Sequence, residues 1–263
     1  MPVATPADLE STGADGLGLK GRLWAPEGTP SAIVHAVHGL KDHSGRYSEL
    51  GESLTVAGVG LAAFDLRGHG RSGGDRAWVR RFPEYSADLD RELTVVQSRY
   101  PGVPVVLYGH SLGGAVAARY TLDHPDRFRG LVLTAPALRP PAGTKAGTAG
   151  IVRLLSAIAP HVRVFRPDVA GFSRDRAVVD AMATDPLIDQ RPIPARTASE
   201  LLRSMRPILA DAPRLAAPLL VLHGTADRVT DPSGSAEFVS RVASPTRQLV
   251  SVPGGYHDLL HDS

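Results

Sequence analysis

The sequence predicts an α/β fold in which a mostly parallel central sheet is flanked by helices and carries a helical cap insertion. Short apolar, β-rich runs recur between turn residues, and helical stretches separate them. Strands that are apolar almost throughout are typical of a parallel sheet covered on both faces. Their alternation with helices places the chain in the α/β class. One long interval, 138–194, interrupts this alternation and predicts the cap.

The composition is that of a globular protein. The chain has 263 residues, of which 43% are hydrophobic and 21% are charged, enough for one moderately sized domain with an insertion. No apolar run approaches the roughly 20 residues of a spanning helix, and residues 1–14 contain no secretory signal pattern. We therefore expect a cytoplasmic protein that is at most peripheral to a membrane.

Two features of the composition exclude classes of chemistry. Because the chain contains no cysteine, disulfides, thiolate metal sites and a cysteine nucleophile are excluded. The formal net charge is only +2, and the basic residues are scattered among acids rather than clustered as in a nucleic-acid interface. We expect no nucleic-acid partner.

The individual elements follow from these patterns. The predicted core strands are 32–37, 60–65, 104–108, 130–134, 218–223 and 247–252. The predicted helices are 48–57, 84–100 and 112–123, and the extended piece 19–24 is expected to add antiparallel strands at one edge of the sheet.

The interval 138–194 is predicted to be a functional insertion, because loops this long inside a compact domain are rarely without a role. Within it, 151–162 has helical periodicity. Its predicted apolar face comprises Ile151, Leu154, Leu155, Ile158 and Val162. We interpret the interval as a cap over the C-terminal edge of the sheet, with a plain packing helix as the alternative. The predicted domains are thus core 1–137, cap 138–194 and core 195–263.

A sharp turn after the strand 104–108 carries the candidate nucleophile. The strand continues into GHSLGG at 109–114 and then into a helix, which is the Gly-x-Ser-x-Gly elbow in its strand–turn–helix context. Gly109 and Gly113 suit positions where the backbone passes too closely for side chains. Ser111 is therefore the predicted nucleophile, placed at the positive end of the following helix.

A serine hydroxyl needs a base, and the base needs an acid to orient it. With this elbow, the order along the chain is serine, acid, histidine. Asp227 follows the strand 218–223, with Asp231 as the rival acid. Of the ten histidines, only His257, in the loop after the last strand, combines a place at the sheet edge with the correct order.

The other histidines are predicted to have no chemical role. His124 and His161 are expected at the surface, and His261 is too near the end of the sequence. His110 is expected to pack or hydrogen-bond beneath the elbow.

The tetrahedral intermediate requires two backbone N–H groups. One is expected from Leu112, which follows the nucleophile, and the other from the loop after an early strand. That loop begins at residue 38, and Leu40 is the predicted second donor.

Taken together, these motifs resemble the monoacylglycerol lipase and lysophospholipase group of α/β-hydrolases. The segments that carry the resemblance are 38–47 (HGLKDHSGRY), 65–72 (DLRGHGRS), 109–114 (GHSLGG) and 223–227 (HGTAD), with Tyr256 and His257 near the end. They span nearly the whole chain in the family's order. The resemblance implies the α/β-hydrolase fold, and it implies that Ser111, Asp227 and His257 form the triad.

The resemblance further implies Leu40 and Leu112 as oxyanion donors, a mobile apolar cap that shapes an acyl tunnel, and no metal or organic cofactor. Asp42 and Arg46 match the family's acid and arginine that place the glycerol hydroxyls. Glutamate is usual where Asp42 stands, so the resemblance does not specify glycerol as the alcohol of the ester. Family members continue into a closing helix, which we expect to be missing here.

We therefore expect a serine hydrolase that cleaves carboxylic esters, most specifically monoacylglycerols or similar single-chain lipid esters, through an acyl-enzyme. A broad-specificity short-to-medium-chain carboxylesterase, a lysophospholipase or a thioesterase is the alternative. A non-enzymatic binding protein with this fold would normally lack a triad residue, whereas all three candidates are present in this sequence. The expected partner is a small lipid ester, and the cap is expected to contact membranes transiently.

Overall fold

The computed structural model describes residues 5–141, 143–145, 147–166 and 168–262. The strands are β1 (Ala7–Thr12), β2 (Gly18–Trp24), β3 (Ile33–Val37), β4 (Gly60–Phe64), β5 (Val105–His110), β6 (Gly130–Thr134), β7 (Arg163–Phe165), β8 (Ile193–Pro194), β9 (Leu219–Gly224) and β10 (Arg247–Val252). The helices are α1 (Ser48–Val56), α2 (Pro83–Arg99), α3 (Leu112–Asp123), α4 (Thr148–Ile158), α5 (Arg176–Thr184), α6 (Ala195–Asp211) and α7 (Pro232–Arg241).

The central sheet has eight strands in the order β1-β2-β4-β3-β5-β6-β9-β10. The strands from β4 to β10 in this order pair in parallel, whereas β1 and β2 pair in antiparallel fashion at one edge. The predicted α/β class and the antiparallel N-terminal strands are therefore confirmed.

Strand β3 lies between β4 and β5, so the chain reverses its direction of winding there. Ligands of open α/β sheets bind outside the carboxyl ends of the strands at such a switch point. The ends of β3 and β5 are therefore the expected location of a site. Leu61 and Leu107 in the central strands are completely buried, and helices cover both faces.

The interval 138–194 contains α4, β7, α5 and β8, and β7 pairs only with β8 in a small separate sheet. None of these elements joins the central sheet. No helix in the described ranges combines the length and the hydrophobicity that crossing a bilayer requires.

The predicted cap helix ends earlier than expected, and most of its predicted apolar face is exposed. Helix α4 ends at Ile158 rather than at residue 162, because Pro160 disfavours helical backbone in the residue before it. Ile151, Leu154 and Ile158 are 63%, 61% and 70% exposed. Val152 is buried instead, so most of the predicted apolar face points away from the core.

Candidate active site

Ser111 lies at the junction of β5 and α3 in a conformation that non-glycine residues rarely adopt, with φ 54° and ψ −117°. Tight packing on both sides maintains this strain. A Cβ on Gly113 would lie 2.0 Å from the carbonyl oxygen of Val37, and one on Gly109 would lie 2.5 Å from that of Gly113. Both positions therefore require glycine, and the turn presents the Ser111 hydroxyl above the sheet.

The structure brings together the three side chains predicted as a triad. Ser111 Oγ lies 2.9 Å from His257 Nε2, and His257 Nδ1 lies 2.8 Å from Asp227 Oδ2. All three residues are buried. With the Nδ1 proton donated to the carboxylate, Nε2 is free to accept the serine proton. The predicted rival, Asp231, instead accepts a bond from the Ser233 N–H at the start of α7.

Asp227 is held as a carboxylate by converging donors. Its Oδ1 accepts hydrogen bonds from the backbone N–H groups of Val229, at 2.7 Å, and Thr230, at 3.0 Å. Its Oδ2 lies 2.9 Å from the Thr230 hydroxyl and 3.1 Å from His223 Nε2. Although burial opposes ionisation, the hydrogen bonds from His223 and His257 hold the pKa of Asp227 well below its usual range.

The loop after β3 passes directly beside the nucleophile. A Cβ on Gly39 would lie 3.1 Å from the Ser111 Cβ and 3.0 Å from the His110 ring. Within the described part of the chain, the N–H groups of Leu40 and Leu112 have no acceptor. Both residues line the cavity that opens at Ser111, so two free donors border the reacting hydroxyl.

The cavity has a volume of about 450 Å³ and is largely apolar. Its walls come from the cap and from α6; they include Val152, Phe165, Phe172, Leu201 and Met205. Such a space fits a hydrocarbon chain rather than a charged ligand. Among the described residues, no group of three acidic or histidine side chains is placed to hold a metal ion.

The predicted alcohol-binding residues lie beside the triad but do not line the cavity. Arg46 donates to Asp42 Oδ1 at 3.3 Å and to Asp258 Oδ2 at 2.6 Å. His261 Nδ1 lies 2.9 Å from Asp258 Oδ1. Asp258 follows His257 in sequence, so this buried cluster anchors the loop that carries the base.

The charges in this cluster support one another. Burial raises the pKa of the Asp258 carboxyl, but the hydrogen bond from His261 and the charge of Arg46 outweigh it and lower that pKa. For Asp42, the opposing effect of burial is likewise outweighed by Arg46, which lowers its pKa. Both carboxylates are therefore ionised around one guanidinium.

Sequence reasoning missed several residues of the site. Thr230 and His223 both contact Asp227, and their spacing from it, three and four residues, was the available signal. Asp258 pairs with Arg46 across 212 residues of sequence, and a single sequence contains no signal for such a contact. His110, predicted beneath the elbow, is buried with Nδ1 3.1 Å from Thr134 Oγ1; burial lowers its pKa to about 4.

The chain is similar in sequence and in fold to known proteins. The family model Hydrolase_4, described as "Serine aminopeptidase, S33", matches residues 28–263. The chain is 32% identical over 262 residues to a monoacylglycerol lipase of Mycolicibacterium smegmatis, covering 100% of this chain and 94% of that protein. It is 35% identical over 249 residues to the monoglyceride lipase of Rattus norvegicus, covering 94% and 82%.

The fold is similar to that of a solved structure. The crystal structure of Paleococcus ferrophilus monoacylglycerol lipase matches with a TM-score of 0.83 and 32% sequence identity, covering 93% of this chain and 92% of that one.

The close approach at the elbow predicts a large effect of one methyl group. Gly113→Ala is expected to lower the free energy of unfolding by about 3 kcal/mol or more, because its Cβ would meet backbone rather than a movable side chain. Gly150→Ala is the matched control: it adds the same methyl to helix α4, where nothing lies within 4 Å, and should stabilise by about 0.5–1 kcal/mol. Urea unfolding measures both, and equal stability of the two variants would contradict the prediction.

The buried carboxylate Asp258 predicts a specific pH dependence of stability. Because folding lowers its pKa, its contribution is present above the ordinary value of 3.8 and disappears as the pH falls through the folded value. Asp258→Asn is expected to destabilise the protein at pH 7 by about 2 kcal/mol, with a smaller difference at pH 3. Melting curves at the two pH values measure this, and a difference that stays constant would contradict it.

Proposed function

Because the chain belongs to the Hydrolase_4 family, described as "Serine aminopeptidase, S33", and is an α/β-hydrolase, we propose that it is a serine hydrolase acting on monoacylglycerol-type esters. The observation that supports this most directly is the hydrogen-bonded series Ser111–His257–Asp227 at the mouth of an apolar cavity. Relatives named monoacylglycerol lipase and monoglyceride lipase, similar over nearly the whole chain, support the substrate class.

In the proposed mechanism, Ser111 Oγ attacks the ester carbonyl while His257 Nε2 accepts its proton. The imidazolium formed is stabilised by Asp227, whose carboxylate remains ionised because four other donors also satisfy it. The carbonyl oxygen becomes negative and accepts hydrogen bonds from the N–H groups of Leu40 and Leu112. Leu112 is the first residue of α3, so the positive end of that helix also faces the developing charge.

Collapse of this intermediate releases the alcohol, which takes the proton from His257 Nε2, and leaves the acyl group on Ser111. Water then attacks the acyl carbonyl while His257 Nε2 accepts its proton. The second tetrahedral intermediate breaks its bond to Ser111 Oγ, which takes the proton back from His257, and the fatty acid is released. The apolar cavity binds the acyl chain throughout, so its contribution to binding is hydrophobic and non-directional.

We assign the alcohol side of the site to Asp42 and Arg46, as the family motif implies. In the structure the two residues bind each other and Asp258, so a glycerol hydroxyl would have to insert beside an existing ion pair. This arrangement favours, as a second candidate, a carboxylesterase that accepts several alcohols. Comparable rates on glycerol, methyl and ethyl esters of one fatty acid would support that candidate.

The cap is proposed to meet its substrate at an anionic lipid surface. Ile151, Leu154 and Ile158 form an exposed apolar row on α4. The surrounding segment 138–166 contains five basic residues and no acidic residue; the basic residues are Arg139, Lys145, Arg153, Arg163 and Arg166. Apolar side chains flanked by cations are typical of helices that lie in the interface of anionic membranes.

The central test is replacement of the nucleophile. Ser111→Ala is expected to fold normally and to lose nearly all hydrolysis of a monoacylglycerol, by about 10⁴-fold or more in kcat. Fatty-acid release measures the activity, and a fluorophosphonate probe that labels the wild type should not label the variant. Ordinary turnover by Ser111→Ala would overturn the proposed function.

Two aspartates provide a matched comparison within the same test. Asp227→Asn is expected to reduce kcat by about 10⁴-fold, because the amide no longer fixes the tautomer of His257. Asp231→Asn, four residues away at the start of α7, keeps a side-chain oxygen that can cap the helix and is expected to retain nearly wild-type kcat. The reverse outcome would assign the acid role to Asp231.

Binding to vesicles tests the proposed lipid contact. The triple change Ile151→Gln, Leu154→Gln and Ile158→Gln is expected to weaken binding to phosphatidylglycerol-containing vesicles at least about tenfold, because it removes the exposed apolar row. Val56→Gln is the control, since Val56 is 79% exposed on α1, outside the cap. Co-sedimentation measures binding, and equal binding by the triple variant and the wild type would contradict the proposal.

A further inference from the structure

The loop after β3 contains a buried lysine in an unusual conformation. Lys41 has φ 59°, a backbone region that favours glycine, and it is only 5% exposed. Its Nζ donates hydrogen bonds to the backbone carbonyl oxygens of Asp189 and Arg191, at 2.6 Å and 2.5 Å. The side chain therefore connects this loop to a segment 148 and 150 residues further along the chain.

The segment that Lys41 reaches belongs to the end of the cap interval. Asp189 accepts a bond from Arg163 of β7 at 2.9 Å, so the segment is itself joined to the cap sheet. A second contact runs parallel to the first, because His43 Nε2 lies 2.9 Å from Asp185 Oδ2. The loop after β3 is thus attached to the cap interval at two points, of which Lys41 is the one adjacent to Leu40.

Lys41 immediately follows Leu40, whose N–H is one of the two proposed oxyanion donors. The Leu40 N–H belongs to the Gly39–Leu40 peptide, and the next peptide leads into Lys41, whose left-handed φ fixes the path of the loop at that point. The Lys41 side chain connects this backbone to the 189–191 segment. Movement of the 189–191 segment would therefore change the position of the Leu40 N–H.

We propose that Lys41 is a positioning residue that holds the Leu40 N–H in place for the oxyanion by anchoring its loop to the 189–191 segment of the cap. This inference rests on the proposed function, because it assigns Lys41 a role in the same reaction. It also couples the geometry of the oxyanion donors to the position of the cap.

The energetics of this lysine agree with such a role. Burial lowers its pKa to about 8; the charge of Asp189 opposes this effect, whereas Arg166, Arg163 and Arg191 add to it. A left-handed backbone and a desolvated amine are both unfavourable. Two short charge-assisted hydrogen bonds are the compensation that the structure contains.

The role predicts which kinetic constant changes. Oxyanion donors act mainly when negative charge develops on the carbonyl oxygen, so displacing one lowers kcat more than it raises KM. Lys41→Met, which keeps the chain length but removes the donors, is expected to reduce kcat on a soluble short-chain ester by about 10- to 100-fold, with KM changed by less than about twofold.

Three further variants complete the experiment. Lys41→Arg keeps cationic donors and is expected to recover most of the rate. Lys41→Gly suits the left-handed backbone, so it should fold at least as well as the wild type and still show the loss of kcat. Lys20→Met is the matched control, because Lys20 is a partly exposed lysine paired with Glu10 between β1 and β2, and it should retain wild-type kinetics.

Inhibitor affinity supplies a readout that a purely structural role would not change. An alkyl trifluoromethyl ketone forms a tetrahedral oxyanion with the serine, whereas an alkyl glyceryl ether forms none. Lys41→Met should weaken binding of the ketone by about the same factor by which it lowers kcat/KM, and it should leave the affinity for the ether unchanged.

The outcomes separate this inference from the proposed function. Wild-type kcat in both Lys41→Met and Lys41→Gly, with Ser111→Ala inactive, would overturn the role of Lys41 and leave the hydrolase intact. Equal weakening of the ketone and the ether would also overturn it. Activity in Ser111→Ala would instead overturn the proposed function itself.

Discussion

The site depends on one steric constraint, the close approach of the elbow to the carbonyl oxygens at the end of β3. Gly113 lies so near Val37 that no side chain fits between them. This contact holds α3 against the loop after β3 and keeps Ser111 in its strained conformation. Ser111 and the loop of Leu40 are therefore positioned by the same contact.

Around this point, buried charges are stabilised in two neighbouring groups. Asp227 is surrounded by backbone and side-chain donors, which keep it ionised and orient His257. Asp258, the next residue after His257, is paired with Arg46, which lies 212 residues earlier in the chain. His257 is thus fixed through its own hydrogen bond to Asp227 and through its chain neighbour. Because buried ion pairs are destabilised strongly when one partner is lost, both groups favour a single arrangement of the loop.

The 138–194 interval joins this framework through polar contacts, and three apolar residues of α4 remain exposed. Lys41 and His43 attach the loop after β3 to the cap interval, while Ile151, Leu154 and Ile158 face outward. A helix with several exposed apolar side chains is suited to a lipid surface. Under the two proposals, contact at that surface and the position of the Leu40 N–H would be connected through the 138–194 interval.

The sequence by itself determined the fold class, most strand limits within one or two residues, and the candidates Ser111, Asp227 and His257, because these depend on local periodicity, glycine in a tight turn and order along the chain. The direction of the α4 apolar face, the pairing of Arg46 with Asp258, and the contact of Lys41 with the cap were decided only by the tertiary structure. Each of these joins residues far apart in the chain or depends on which side of a helix meets the core. Local pattern contains no information about such distances, since packing of the whole chain determines them.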